Sequence, residues 1–178
     1  MAESEQINVK DWITLSSVLI GAVLTILALI WQFPPLNYKG IVLTTFLLMI
    51  SFVFFVNSVS SNSKANFEAR TRNTVDKMVN RFVIFAEYSF GIGFTFVVCG
   101  FSILGYGYIL GYTSGTDELL ALLLPIAFIA ITLALMLIYN TLNSGNPLGS
   151  LKRNIWAIVE VACVVMIACD YIGLISIP

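Results

Sequence analysis

The last apolar run of the chain decides the fold: residues 155–177 read IWAIVEVACVVMIACDYIGLISI. A bilayer core of about 30 Å needs about 20 apolar residues of helix, and this run is long enough. It also carries two carboxylates, Glu160 and Asp170. A central Asp costs about 2.5 to 3.5 kcal/mol on insertion scales, whereas each Leu, Ile or Val returns only about 0.3 to 0.6. The balance is close to zero, so we expect this helix to be buried against protein or a wet cavity rather than surrounded by lipid.

The composition indicates an integral membrane protein. Hydrophobic residues make up 58% of the 178 positions and charged residues 11%, whereas soluble domains are about one quarter charged. The net charge of -1 provides no basic face for nucleic acid, so no nucleic-acid partner is expected. The expected surroundings are a lipid bilayer, in the plasma membrane or an inner membrane.

The residue types present exclude most familiar membrane chemistry. Histidine is absent, which removes imidazole zinc sites, histidine-ligated haem and His-based catalysis. The three cysteines, Cys99, Cys163 and Cys169, lie in apolar runs without CxxC spacing, as expected of small core residues. We therefore predict no metal site, no cofactor and no enzymatic activity.

Five apolar runs are long enough to cross a bilayer, at about residues 12–33, 41–59, 82–112, 119–139 and 155–177. A cleavable signal is an alternative reading of the first run, but its leader is acidic and its apolar stretch exceeds the usual length of about 7 to 15 residues. The prediction is an all-α integral membrane protein with five transmembrane helices in a single transmembrane domain over residues 1–178.

The distribution of cations predicts the orientation. If the N-terminus is cytoplasmic, eight of the nine Lys and Arg residues stay inside and only Lys39 lies outside. Because the number of spans is odd, the C-terminus is then outside. Glu160 would lie near the cytoplasmic boundary, and Asp170 would lie near the outer one, each about 7 Å deep by the helical rise.

Residues 60–81 form the main hydrophilic segment, and they predict a basic, helical cytoplasmic connection. Val79 and Phe82 continue a helical spacing, so we expect the third helix to begin near Asn73 and to extend into the cytoplasm. Its cations either contact a partner or anionic lipid, or only set the topology. They are Arg70, Arg72, Lys77 and Arg81.

The intramembrane carboxylates are the candidate functional residues. Glu160 and Asp170 lie about 80° apart around a helix and about 15 Å apart along it, so one broad face can hold both. With Glu87 in the third run, they are arranged as an ion or proton path requires. Alternatively, they are protonated and hydrogen-bonded to a hydroxyl of a neighbouring helix, with Thr95 among the candidates. No cation lies deep in any span, so we expect none within reach of Asp170, and Asp170 is the first candidate.

Glycines recur in the third run, and Gly107 and Gly111 have the GxxxG spacing that allows close helix packing. The runs do not resemble one another in glycine or charge placement, so no internal repeat is predicted.

These features predict an oligomeric channel or transporter for cations or protons. The alternative is a non-catalytic membrane subunit or adaptor, which binds partner helices or a cytoplasmic partner. The expected partners are accordingly a second copy of the chain or other membrane subunits. An intramembrane enzyme is disfavoured, because the only other deep acid near Asp170 is on the same helix.

Overall fold

The computed structural model describes residues 2–33, 39–72, 77–113, 118–144 and 156–178. In these ranges the chain is helical and contains no strand, which confirms the all-α prediction. The helices are α1 (Ala2–Gln32), α2 (Ile41–Arg72), α3 (Lys77–Thr113), α4 (Glu118–Ser144) and α5 (Ala157–Tyr171).

Four of these helices are long and apolar enough to cross a membrane. Their spanning segments are Lys10–Gln32, Ile41–Thr71, Lys77–Tyr112 and Leu119–Ile138. Large apolar side chains are exposed along α1 and α4, including Trp31, Leu123 and Ile131. Soluble monomers rarely expose continuous apolar surface on this scale, so these faces indicate a membrane-embedded protein.

The fifth predicted span differs from the structure. A continuous helix was expected over 155–177, but α5 has 15 residues and therefore rises only about 22 Å. It ends because Gly173 adopts φ 76°, and the Gly173 and Leu174 amides donate to the Asp170 and Cys169 carbonyls at 3.0 and 2.9 Å. Glycine takes this left-handed conformation without a Cβ penalty, so residues 172–178 turn back although they are as apolar as the helix.

The hydrophilic segment 60–81 is divided between two helices. α2 continues through residues 60–72, where the chain has no Gly or Pro to end it, and α3 begins at Lys77. Ser61, Asn62 and Ala65 are buried on this part of α2. The predicted extension therefore involves α2 as well as α3, and the expected start near Asn73 lies outside the described residues.

The described chain forms two compact units. The first unit, Met1–Gln32 with Met49–Phe94, pairs α2 with α3 antiparallel. In it the Asn57 amide donates to the Ser89 hydroxyl at 2.8 Å, and the Phe90 ring lies 5.7 Å from that of Phe55. Ser16 on α1 contacts Ser58 on α2, hydroxyl to hydroxyl, at 3.4 Å. Small polar side chains thus hold the helices of this unit close together.

The second unit consists of Phe33–Leu48 and Thr95–Pro178. The Thr44 hydroxyl on α2 donates to the Gly100 carbonyl on α3 at 3.2 Å. Gly107 lies against the Lys39 backbone so closely that a Cβ would collide with the Lys39 carbonyl. Gly111 is exposed, so a packing role for that glycine stays a prediction.

Candidate functional site

One face of α5 carries both candidate carboxylates. Its buried positions are 160, 163, 167 and 170, which are three, four and three residues apart and therefore lie on one side of the helix. Glu160 and Asp170 are 1% and 3% exposed. Both carboxylates therefore lie on a single buried face, as their predicted separation of about 80° around the helix allows.

This face of α5 packs against α3. Glu160 meets Thr95, Cys163 meets Cys99, and Asp170 meets Tyr106. The sequence offset is 64 or 65 residues at all three contacts, so the two helices run parallel and in constant register. The candidate site lies on this inner face of α5, which consists of residues 160, 163, 167 and 170.

Asp170 is fully engaged by hydrogen-bond donors. The Tyr106 hydroxyl donates to Oδ2 at 2.6 Å, and the Ile177 amide donates to Oδ1 at 2.8 Å. The Lys39 ammonium lies 3.3 Å from Oδ2 and 3.5 Å from Oδ1. The Asp170 side chain is 0% exposed, whereas that of Lys39 is 46% exposed.

The expectation that no cation of the chain reaches Asp170 is wrong. Gly40 adopts φ 83° and turns the chain just before α2, and this turn lies against Gly107. Gly107 directly follows Tyr106 on α3, so Lys39 is brought to the end of α5 that carries Asp170. Lys39 is not deep in any apolar run, but Asp170 is near enough to the helix end for the lysine to reach it.

Asp170 therefore joins four segments of the second unit: the turn before α2, α3, α5 and the returning segment 172–178. Ile177 is buried in that returning segment, and the Leu43 amide donates to the Pro178 carbonyl at 3.3 Å. This last bond satisfies one of the amides left free at the start of α2. We call the Asp170 carboxylate with Tyr106, Lys39 and the Ile177 amide the Asp170 clamp.

Glu160 has the opposite environment. Its Oε1 accepts a hydrogen bond from the Thr95 hydroxyl at 3.3 Å, but its Oε2 has no hydrogen-bond partner among the described residues. Two thiols lie nearby in the described chain: Cys163 donates to the Cys99 carbonyl at 3.8 Å, and Cys99 donates to the Val159 carbonyl at 3.9 Å. One buried carboxylate oxygen of Glu160 therefore accepts no hydrogen bond from the described residues.

The third candidate carboxylate, Glu87, belongs to the first unit. Glu87 is on an exposed face of α3 in the first unit, whereas Glu160 and Asp170 belong to the second. Its participation in one path with them stays a prediction. Arg153, the nearest cation to Glu160 in the sequence, lies outside the described residues.

The described basic residues of the predicted cytoplasmic connection are exposed. Arg70, Lys77 and Arg81 lie at the surface of the first unit, and the side chain of Arg72 is outside the described part. The Lys64 ammonium lies 5.0 Å from the centre of the Phe82 ring, which joins α2 to α3 by a cation–π contact.

Sequence reasoning missed Lys39, Tyr106 and Ile177. A signal for Lys39 was present, because the predicted orientation places it outside, on the same side as Asp170. Tyr106 could have been found only from the register of α3 and α5. The Ile177 amide depends on the turn at Gly173, which an apolar pattern does not reveal.

Within the described ranges, no group of three or more Cys, Asp or Glu residues is placed to hold a metal ion. We found no family model, curated protein or solved structure that matches the chain. The two carboxylate environments are therefore the features of the molecule that point to a function.

Proposed function

We propose that the protein is an oligomeric channel or transporter for cations or protons, and that Glu160 is its principal intramembrane site. The observation that carries this proposal is the buried Glu160 Oε2, which has no hydrogen-bond partner in the described chain. A polar atom of this kind costs about 1 to 3 kcal/mol or more, and such a cost is characteristic of functional groups. Intramembrane carboxylates commonly mark ion pathways and proton relays.

The proposed topology has five helices, a cytoplasmic N-terminus and an outer C-terminus. The cation distribution supports it, and so does the parallel direction of α3 and α5, since alternate spans of one chain run the same way. In this arrangement α5 crosses about 22 Å of the fifth span, and the returning segment 172–178 folds back against Asp170 at its outer end.

The contacts of Asp170 support ranking Glu160, and not Asp170, as the first candidate for binding the transported species. Asp170 is occupied by Tyr106, Lys39 and the Ile177 amide, so all of its oxygens already have donors. A passing ion would have to displace these contacts. We assign Asp170 to holding the outer end of the site together, and Glu160 to binding the transported species.

The test is cation flux in liposomes containing the purified protein. Glu160→Gln should abolish the flux, because it keeps the side-chain volume but removes the ionisable group. Asp170→Asn is the matched control at the same face of the same helix and should affect protein yield and stability more than flux. Wild-type rates equal to those of empty liposomes, across cations and pH, would refute the proposal.

A second candidate function is a non-catalytic membrane subunit or adaptor. The observation that favours it is Phe67, which is 67% exposed on the part of α2 that also presents Lys64 and Arg70. An exposed aromatic flanked by cations is typical of interaction surfaces. Purification from native membranes should then return a stoichiometric partner that is lost in Phe67→Ser. Recovery of the protein alone would contradict the adaptor function.

A further inference from the structure

We propose that the species bound at Glu160 is a proton and not a metal cation. This inference rests on the proposed function, because it names the substrate of the same site. It follows from what surrounds Oε2.

The surroundings of Glu160 are too poor in oxygen for a metal cation. Calcium takes 6 to 8 oxygen ligands, magnesium takes an octahedral set, and potassium filters are built from rings of free carbonyls. Among the described residues, the polar side chains next to Glu160 are one hydroxyl, from Thr95, and two thiols, from Cys99 and Cys163. The carbonyls of Val159 and Cys99 already accept from these thiols, in addition to their helical bonds. A dehydrated alkali or alkaline-earth cation would therefore lack most of its ligands.

A proton needs only one oxygen, and Oε2 supplies it. The Thr95 hydroxyl donates to Oε1, which leaves Oε2 as the oxygen that carries the hydrogen. The two carboxylate oxygens of Glu160 thus have different roles.

The charges around Glu160 favour the same conclusion. In the described part of the second unit, Glu160 faces Thr95 and Cys99 of α3 and Cys163 of its own helix, none of them cationic. α4 packs against α5 and has no ionisable side chain between Leu119 and Ile138. An unpaired carboxylate is strongly disfavoured in such an interior, so uptake of a proton is the simplest way to remove the charge. Asp170, in contrast, forms an ion pair with Lys39.

A hydrophobic carbodiimide tests this assignment independently of transport. Dicyclohexylcarbodiimide enters membranes and adds to a protonated carboxyl group: the acid proton passes to a carbodiimide nitrogen, and the carboxylate oxygen bonds to the central carbon. Acyl transfer to nitrogen then gives a stable N-acylurea with no leaving group. The adduct is located by mass spectrometry of peptides.

In wild-type protein in liposomes we expect the adduct on Glu160 and not on Asp170, with a yield that falls as the pH rises. Glu160→Gln should lose the adduct, and Asp170→Asn should keep it. Thr95→Val retains the carboxyl group and should still be labelled, which keeps the test valid if Glu160→Gln does not fold. Labelling of Asp170 in preference to Glu160, or no labelling of Glu160 in folded protein, would overturn the inference.

Flux measurements separate this inference from the proposed function. Proton flux that Glu160→Gln and the carbodiimide both abolish supports the two together. Sodium or potassium flux without proton flux would overturn the proton assignment and leave a cation channel. Labelling of Glu160 with no flux of any cation would refute transport, although Glu160 would still be a protonation site.

Discussion

We expect substitutions in the Asp170 clamp to lower the stability of the protein by graded amounts. In Tyr106→Phe the carboxylate loses a 2.6 Å hydrogen bond, and hydrogen bonds to charged groups contribute about 1.5 to 3 kcal/mol. Lys39→Met should cost less, about 1 kcal/mol, because the lysine side chain is 46% exposed and its contacts are longer. Asp170→Leu should cost the most, about 3 to 5 kcal/mol, because the Tyr106 hydroxyl and the Ile177 amide both lose their acceptor.

Asp170→Asn should destabilise the protein by more than Lys39→Met and by less than Asp170→Leu. The Asn carbonyl can accept from the Ile177 amide, and its amino group can donate to the Tyr106 oxygen, so only the ionic component is lost. The double variant Asp170→Leu with Tyr106→Phe should cost less than the sum of the two single variants, because both remove the same hydrogen bond.

Unfolding in detergent, followed by the reaction of a fluorescent maleimide, measures this series. Cys99 and Cys163 are buried in the same unit as the clamp, so their labelling reports the opening of that unit. If Asp170→Leu unfolded at the wild-type denaturant concentration, or if Lys39→Met were as destabilising as Tyr106→Phe, the Asp170 clamp would not stabilise this unit in the way described.

Three further predictions concern backbone fit and thiol exposure. Gly107→Ala should destabilise the protein by about 1 to 3 kcal/mol in the same assay, because a Cβ collides with the backbone of the turn before α2. Gly105→Ala is the matched control, since nothing lies within 4 Å of its Cβ position, and helix propensity should make it neutral or stabilising. Gly173→Ala should cost about 1 to 2 kcal/mol through its φ of 76° alone, and equal stability of this variant would contradict the turn. In folded protein Cys169, which is half-buried, should react with maleimide before Cys99 does, as peptide mass spectrometry would show.

Much of the helical content was predictable because apolar runs of this length have few other structures in a membrane. The ends of the helices were not. Hydropathy placed the end of the second span near Val59, but α2 continues to Arg72, since leaving an apolar environment does not by itself end a helix. Conversely, hydropathy continued the last helix to Ile177, although Gly173 ends it earlier without any change in polarity.

The two buried carboxylates could be identified from the sequence, but the residues that surround each of them could not. The free-energy cost of placing Glu160 and Asp170 in a membrane span could be predicted from the sequence. Their position on one face of the helix could be predicted as well. Which carboxylate is neutralised by a cation depends on the turn at Gly40 and on the register of α3 against α5. The sequence assigned Thr95 as one of several hydroxyl donors, and the structure selects it for Glu160.

The contrast between the two carboxylates yields a prediction that tests its physical basis. If Glu160 is protonated because no cation faces it, then removing the cation from Asp170 should make Asp170 behave in the same way. Lys39→Met should therefore become labelled by dicyclohexylcarbodiimide at Asp170 in acidic buffer, while Lys39→Arg, which keeps the charge, should not. The Tyr106 and Ile177 donors remain in both variants, so the comparison isolates the charge. If Asp170 stays unlabelled in Lys39→Met while Glu160 reacts, hydrogen bonds alone keep Asp170 ionised. The lack of a cation near Glu160 would then not explain why Glu160 carries a proton. The absence of a described hydrogen-bond partner for Oε2 would need a different explanation.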